Sequence, residues 1–156
     1  KKQGFVGNII VSVSFSIGLI YGALLNSRLP IFIYLYFFTS FSLLMAREII
    51  KGCEDIEGDK KEDVKTLAIT IGIEKAVIIS LIFQISAIIF FISPLFVSLI
   101  NPQLFLIFMI SGLGLVGYAV YLSFNHHQEK DQFGKISLLL KIGALFGLLA
   151  FLFASF

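Results

Sequence analysis

The sequence predicts an all-α protein, a bundle of about five helices that cross a membrane. Hydrophobic residues make up 58% of the 156 positions and charged residues only 14%, whereas a soluble domain is usually about 45–50% apolar. The apolar residues form five runs of roughly 20 residues, and each run can cross ~30 Å of hydrocarbon as a helix. No alternation typical of a β-barrel is present, so helices must satisfy the backbone hydrogen bonds in the bilayer.

The predicted spans follow one another through short polar connections, with one exception. They cover about residues 5–25, 31–50, 76–100, 103–124 and 136–156. Pro30 suits the first turn of the second helix, and Pro94 predicts a kink in the third. The exception is the charged segment 51–75, which we expect to lie outside the bilayer as a catalytic loop or helix extension.

Charge is divided unevenly between the two sides of the predicted bundle. With five spans, the start of the chain, segment 51–75 and residues 125–135 lie on one side. That side carries ten of the twelve basic residues and all ten acidic residues. Basic residues accumulate in cytoplasmic loops, so this side is predicted to be the cytoplasmic face of a multi-pass cell-membrane protein. Acidic residues hardly influence orientation, and their asymmetry therefore indicates a polar functional surface.

The residues that follow the second span can bind a metal and phosphate. If the second helix continues beyond the membrane surface, four charged residues share one face at four-residue intervals: Arg47, Lys51, Asp55 and Asp59. Two carboxylates one turn apart suit Mg²⁺, which is often held by one or two carboxylates together with substrate phosphates. The two basic residues would bind the remaining phosphate oxygens. This pattern predicts a metal-bridged polyanion at the membrane surface.

Other interpretations of this segment are a solvated interfacial loop and an EF-hand. The loop is less favoured because Arg47 and Glu48 end an apolar span, where charges usually have a function. An EF-hand beginning at Asp55 is excluded because Lys60 stands where the motif has Gly and Thr66 where it has Glu. The single cysteine excludes both an intrachain disulfide and a thiolate zinc cluster.

Two stretches resemble the UbiA superfamily of intramembrane prenyltransferases. Residues 55–59, Asp-Ile-Glu-Gly-Asp, followed by Lys-Thr-Leu at 65–67, resemble its second aspartate-rich motif. Residues 1–8 resemble the segment that opens the fifth helix, and the five spans match helices five to nine of that nine-helix fold. Three residues around the motif resemble the archaeal members, which make digeranylgeranylglyceryl phosphate: Glu48, Lys51 and Glu54. Residues 1–156 would then be the C-terminal part of one transmembrane prenyltransferase domain.

The resemblance implies Mg²⁺-dependent transfer of a geranylgeranyl group from its diphosphate to geranylgeranylglyceryl phosphate. Asp55 and Asp59 would be catalytic and would hold the metal. The diphosphate contacts it implies are Arg47, Lys51, Lys65, Lys1, Lys2 and Asn8. The expected partners are the isoprenyl diphosphate, the lipid-phosphate acceptor, the lipid bilayer and the N-terminal half of the same protein, and not nucleic acid. The family's first aspartate-rich motif has no counterpart here, so we expect the chain alone to be inactive.

Three other functions stay open at this stage. The acceptor could be aromatic, as in quinone biosynthesis. The chain could instead be half of a transporter, but a transporter usually keeps its ionisable groups near the middle of the membrane, whereas these lie at one surface. A non-catalytic subunit of a membrane assembly is the third alternative, and replacement of Asp55 or Asp59 would separate it from an enzyme.

Overall fold

The computed structural model describes residues 4–25, 30–96, 101–125 and 129–155, which form helices and short turns. The helices are α1 (Phe5–Leu25), α2 (Ile31–Glu54), α3 (Ile56–Lys61), α4 (Leu67–Ile71), α5 (Ile73–Ile92), α6 (Pro102–Phe124) and α7 (Lys130–Ser155), with a 3₁₀ turn at Ser93–Phe96 after α5. Five of these elements are long and apolar enough to cross a membrane: α1, α2, α5 with its 3₁₀ turn, α6 and α7. The predicted all-α bundle of five spans is confirmed.

Several predicted helix ends differ from the observed ones. Helix α7 begins at Lys130 rather than near residue 136, and α5 begins at Ile73 rather than near residue 76. Hydropathy marks where a helix enters hydrocarbon, whereas the helix itself continues into water as long as its backbone bonds are satisfied. Helix α5 also ends at Ile92, so Pro94 lies in the 3₁₀ turn instead of kinking a longer helix.

Helix α2 lies at the centre of the bundle and packs against α1, α5 and α7, while α6 packs mainly against α7. Its residues Met45, Ala46, Ile49 and Ile50 are fully buried in the main core. Helices α6 and α7 approach closely because Gly143 of α7 has no side chain at their contact. A Cβ added at Gly143 would lie 2.8 Å from Cγ2 of Val116, which is closer than real atoms approach.

A buried polar cluster joins three spans near the end of α2. The Ser80 hydroxyl donates to the Ala46 carbonyl at 3.0 Å, and the Gln84 side-chain amide donates to Ser80 and to Ser123, each at 3.1 Å. All three side chains are at most 1% exposed. Hydrogen bonds of this kind hold membrane helices together, and this cluster fixes α2 against α5 and α6.

Helix α1 differs from the other spans because most of its surface is uncovered. Only 11% of the residues in the most apolar stretch of α1 are buried, compared with 50% in α2. The two fully buried residues of α1 are serines, Ser12 and Ser16, and neither hydroxyl has a hydrogen-bond partner. The most deeply buried side chains of α1 are therefore polar, although Phe5 and Ile9 of the same helix also pack against the main core.

Candidate metal and diphosphate site

The aspartates lie where α2 ends and α3 begins. Helix α2 continues past its predicted end near residue 50 as far as Glu54, and Asp55, with φ −103° and ψ 19°, bends the chain before α3. The four-residue spacing nevertheless survives the bend. The Asp55 N–H donates to the Lys51 carbonyl at 3.0 Å, and the Asp59 N–H donates to the Asp55 carbonyl at 2.9 Å. Lys51, Asp55 and Asp59 thus follow one another at one-turn intervals.

The chain then turns back towards α2 and the start of α1. Asp63 adopts a left-handed conformation with φ +55°, and the Val64 N–H donates to the Asp59 carbonyl at 2.9 Å. The returning segment, residues 64–66, packs against two glycines. A Cβ at Gly52 would lie 3.3 Å from Cβ of Thr66, and a Cβ at Gly4, where φ is +51°, would overlap the Lys65 carbonyl oxygen. A side chain at residue 4 would therefore separate α1 from this segment.

These elements enclose a polar cavity of about 180 Å³, lined by α1, α2, α3 and the returning segment. Its polar lining side chains include Asn8, Glu48, Lys51, Asp55, Asp59 and Glu62. Thr66 also lines the cavity, and its hydroxyl is buried without a hydrogen-bond partner. The cavity thus combines four carboxylates, one ammonium group and an unsatisfied hydroxyl.

The structure brings some of the predicted site residues together and separates others. Asp55, Asp59, Lys51 and Asn8 all line the polar cavity. Arg47 does not line it; its Nη1 lies 2.6 Å from Oε1 of Glu48, and both side chains are about one-quarter exposed, at 24% and 23%. The Lys65 side chain is exposed and is not among the lining residues. Lys1 and Lys2 lie outside the described residues.

Sequence reasoning did not assign Glu48, Glu62 or Thr66 to the site. Glu48 carried a partial signal, because an acid at the end of an apolar span usually has a function. Glu62 and Thr66 enter the cavity only because the chain reverses at Asp63. Asp63 is of a residue type that adopts a positive φ more often than most, but few aspartates do so, so the sequence alone did not mark that reversal.

The lining residues fit a magnesium ion that shares its ligands with a phosphate. Carboxylate and hydroxyl oxygens are the hard donors that Mg²⁺ prefers, and the ion usually keeps positions for water and substrate phosphates. Within the described ranges, no three His, Cys, Asp or Glu side chains converge as a complete metal site. The two aspartates would therefore supply only part of the coordination, and the unsatisfied Thr66 hydroxyl is a further polar group at the cavity wall.

A second cavity of about 290 Å³ lies between the spans α1, α2 and α7. Its lining includes Phe15 and Leu19 of α1, Leu43 and Leu44 of α2, and Leu148 and Phe151 of α7. The lining residues of α2 precede the residues that line the polar cavity. One helix therefore connects the polar cavity at its end with an apolar cavity deeper in the bundle.

This combination defines the chain as a multi-span membrane protein with a polar cavity at one end of its central helix and an apolar cavity between its spans. The comparisons with known proteins give the particular family. The chain belongs to the UbiA prenyltransferase family, whose model matches residues 1–142, and the resemblance stated above is confirmed. No solved structure shows significant similarity to the chain.

Several curated relatives carry one name, digeranylgeranylglyceryl phosphate synthase. The protein of that name from Methanosphaera stadtmanae is 36% identical over 153 residues, which are 97% of this chain and 54% of the relative. Those from Saccharolobus solfataricus and Thermococcus sibiricus are 33% and 35% identical, each over 99% of this chain and 54% of the relative. The chain thus spans about half the length of the curated relatives it matches.

Proposed function

We propose that the protein to which this chain belongs transfers a geranylgeranyl group from its diphosphate to geranylgeranylglyceryl phosphate, as a step in archaeal ether-lipid synthesis. The observation that carries the proposal is the polar cavity at the end of α2, where Asp55, Asp59 and Lys51 meet above an apolar cavity. Family membership and the shared name of the relatives support the same reaction.

The polar cavity would bind the diphosphate of the prenyl donor. Asp55 and Asp59 would hold Mg²⁺, and a bound Mg²⁺ would neutralise negative charge on the departing diphosphate. Lys51 would donate charge-assisted hydrogen bonds to the same oxygens. Asn8 would add a neutral donor from α1. Arg47 and Lys65, which do not line the cavity, are proposed as more distant cations that raise the local positive potential. For Lys1 and Lys2 the proposal stays the diphosphate contact that the family resemblance implies.

The apolar cavity would hold the prenyl tail and keep water away from the reacting carbon. In the reaction, the bond between the allylic carbon and the diphosphate oxygen breaks, and the diphosphate leaves with the electron pair. A bond from the acceptor hydroxyl oxygen to that carbon forms as the hydroxyl loses its proton to the departing diphosphate. The allylic carbon becomes cation-like, so water would compete as a nucleophile. Phe15, Leu43 and Leu148 would exclude it, because a closed apolar site suppresses such side reactions.

The remainder of the site is proposed to come from a preceding part of the protein. The UbiA superfamily carries a first aspartate-rich motif that has no counterpart in these 156 residues, and the N-terminal half would provide it. The polar cavity would face the cytoplasm, since the basic residues accumulate on that side. Residues 51–75 would then be the cytoplasmic part of the catalytic site.

The test is prenyl transfer by the full-length protein with labelled geranylgeranyl diphosphate, Mg²⁺ and geranylgeranylglyceryl phosphate. We expect a labelled ether lipid from the wild-type protein and none above background from Asp55→Ala. Glu57→Ala is the matched control, because Glu57 is exposed on α3 and does not line the cavity. An aromatic acid is run in parallel. If only the aromatic acid is prenylated, the acceptor is aromatic and not the lipid phosphate. If Asp55→Ala transfers the prenyl group as fast as the wild type, the assigned site is wrong.

A further inference from the structure

Helices α2 and α7 run antiparallel, and two contacts fix which of their residues lie at the same level. At one end, Oε1 of Glu54 lies 3.1 Å from where a Cβ on Gly134 would stand. At the other end, the rings of Tyr36 and Phe151 are 4.8 Å apart. Seven residues back from Glu54 along α2 is Arg47, and seven residues on from Gly134 along α7 is Lys141. The two cations therefore lie at one level of the bundle.

Both cations also lie on the helix faces that line the apolar cavity. Lys141 precedes Ala144 and Leu148, two lining residues of α7, by three and seven positions. Residues at these spacings share a helix face. Arg47 follows Leu43 and Leu44 by four and three positions on α2. Lys141 and Arg47 thus continue the walls of the apolar cavity in the direction of the polar cavity.

A serine of α1 lies at the same level of the bundle as Arg47 and Lys141. Asn8 lines the polar cavity, and Phe15 lines the apolar one, so Ser12 falls between the two cavities on α1. Ser12 is fully buried, and its hydroxyl has no hydrogen-bond partner. Three helices therefore bring a hydroxyl and two cations to the boundary between the polar and the apolar cavity.

The cations at this boundary have unused hydrogen-bonding capacity. Nε of Arg47 is buried without a partner, although Nη1 contacts Glu48. The Lys141 side chain is exposed and makes no ion pair or hydrogen bond to the described residues. An ammonium group so far inside a transmembrane helix is expensive unless it has a function. All three groups lie at one level of the bundle, and each can donate a hydrogen bond to an anion.

We propose that Lys141, Arg47 and Ser12 bind the phosphate group of the lipid acceptor, separately from the donor diphosphate at Asp55 and Asp59. This inference depends on the proposed function, because that function supplies an acceptor with a phosphate monoester. Eight residues of helix separate Arg47 from Asp55, which is about 12 Å along the axis. That separation gives the second anion its own position about two helical turns deeper than the metal.

The test is binding of geranylgeranylglyceryl phosphate to the full-length protein in detergent, measured without donor so that no transfer is needed. We expect Lys141→Met to weaken binding by about tenfold or more, since a charge-assisted hydrogen bond is lost, and Lys141→Arg to retain it. Lys135→Met is the matched control, because Lys135 is also an exposed lysine of α7 but lines neither cavity. Geranylgeranylglycerol, which has no phosphate, should bind the wild type and Lys141→Met equally.

The possible outcomes separate this inference from the proposed function. Equal binding of geranylgeranylglyceryl phosphate to the wild type and Lys141→Met would overturn the acceptor site. The same holds if Lys141→Met weakens binding of the donor diphosphate as much as that of the acceptor, because the cation would then belong to the donor site. Loss of acceptor binding in Lys141→Met supports the inference. Failure of the wild type to transfer a prenyl group is a separate result and rejects the proposed reaction alone.

Discussion

The two cavities of this protein are built in different ways, although α2 lines both. The polar cavity is formed where the backbone is irregular: α2 ends at Glu54, Asp63 has a positive φ, and the chain returns onto Gly4. The apolar cavity is formed by the side-chain faces of α1, α2 and α7 within their regular spans. Irregular backbone is tolerated only where water or protein satisfies its polar groups. The polar and the apolar cavity therefore have different architectures, and one helix joins them.

The largest expected effect comes from removing charge in the polar cavity. Asp55→Asn or Asp59→Asn keeps the size of the side chain but removes a carboxylate from the proposed metal site, so we expect the rate of prenyl transfer to fall by about 100-fold or more. Glu62→Gln, at the edge of the same cavity, should have a smaller effect. A Glu62→Gln variant that loses as much activity as Asp55→Asn would contradict the special role of the aspartate pair.

A bulky side chain in the apolar cavity should affect long substrates and spare short ones. Ala144→Phe places a ring where the prenyl tail is proposed to lie. We expect transfer from geranylgeranyl diphosphate to fall by about tenfold, as when a substrate is displaced from its productive position, while transfer from dimethylallyl diphosphate changes little. Leu138→Phe, on an exposed part of α7, is the control. Equal loss with both donors would mean that the cavity does not hold the tail.

A substitution at Gly4 tests how the polar cavity is closed. Gly4→Ala imposes a positive φ on a residue with a side chain and creates an overlap with the Lys65 carbonyl oxygen, so we expect a loss of about 1–3 kcal/mol in unfolding free energy. Thermal unfolding in detergent measures it. Gly114→Ala is the comparison, because a Cβ at Gly114 meets nothing within 4 Å. Similar stability of the two variants would show that the contact at Gly4 is unimportant.

The smallest effect is expected from the buried polar cluster that holds α2 in place. Gln84→Leu removes the hydrogen bonds to Ser80 and Ser123, and we expect it to lower the unfolding free energy by about 0.5–2 kcal/mol. Ser111→Ala is the control, since the Ser111 hydroxyl donates only to a carbonyl of its own helix, that of Ile107. If Gln84→Leu is as stable as Ser111→Ala, the cluster does not stabilise the bundle.

The sequence predicted the apolar part of this structure better than the polar part. Hydropathy located all five spans, because each must be apolar along its whole length. It did not locate α3 and α4, which are too short to have a periodic pattern. The one-turn spacing of Asp55 and Asp59 was predicted from their positions in the sequence. The structure keeps this spacing because backbone hydrogen bonds continue across the bend. The positions of Glu62 and Thr66 were missed, since they depend on the reversal at Asp63 and on contacts with Gly4 and Gly52.

Arg47 has a local contact that helical spacing does not indicate. Its position four residues before Lys51 predicted a contact with the same diphosphate. In the structure, its guanidinium group contacts Glu48, the adjacent residue. Adjacent residues do not face each other on a helix, but a long arginine side chain can bend to reach its neighbour. Local pairing of this kind is decided by side-chain conformation, which spacing alone does not determine.

The central claim is that Asp55 and Asp59 hold a divalent ion that binds the donor diphosphate. The most direct test is the affinity of the full-length protein for the thiodiphosphate analogue of geranylgeranyl diphosphate, measured with and without Mg²⁺. The account predicts that Mg²⁺ tightens binding to the wild type and leaves binding to the Asp55→Asn, Asp59→Asn double variant unchanged. Tightening by Mg²⁺ to the same extent in both proteins would contradict it.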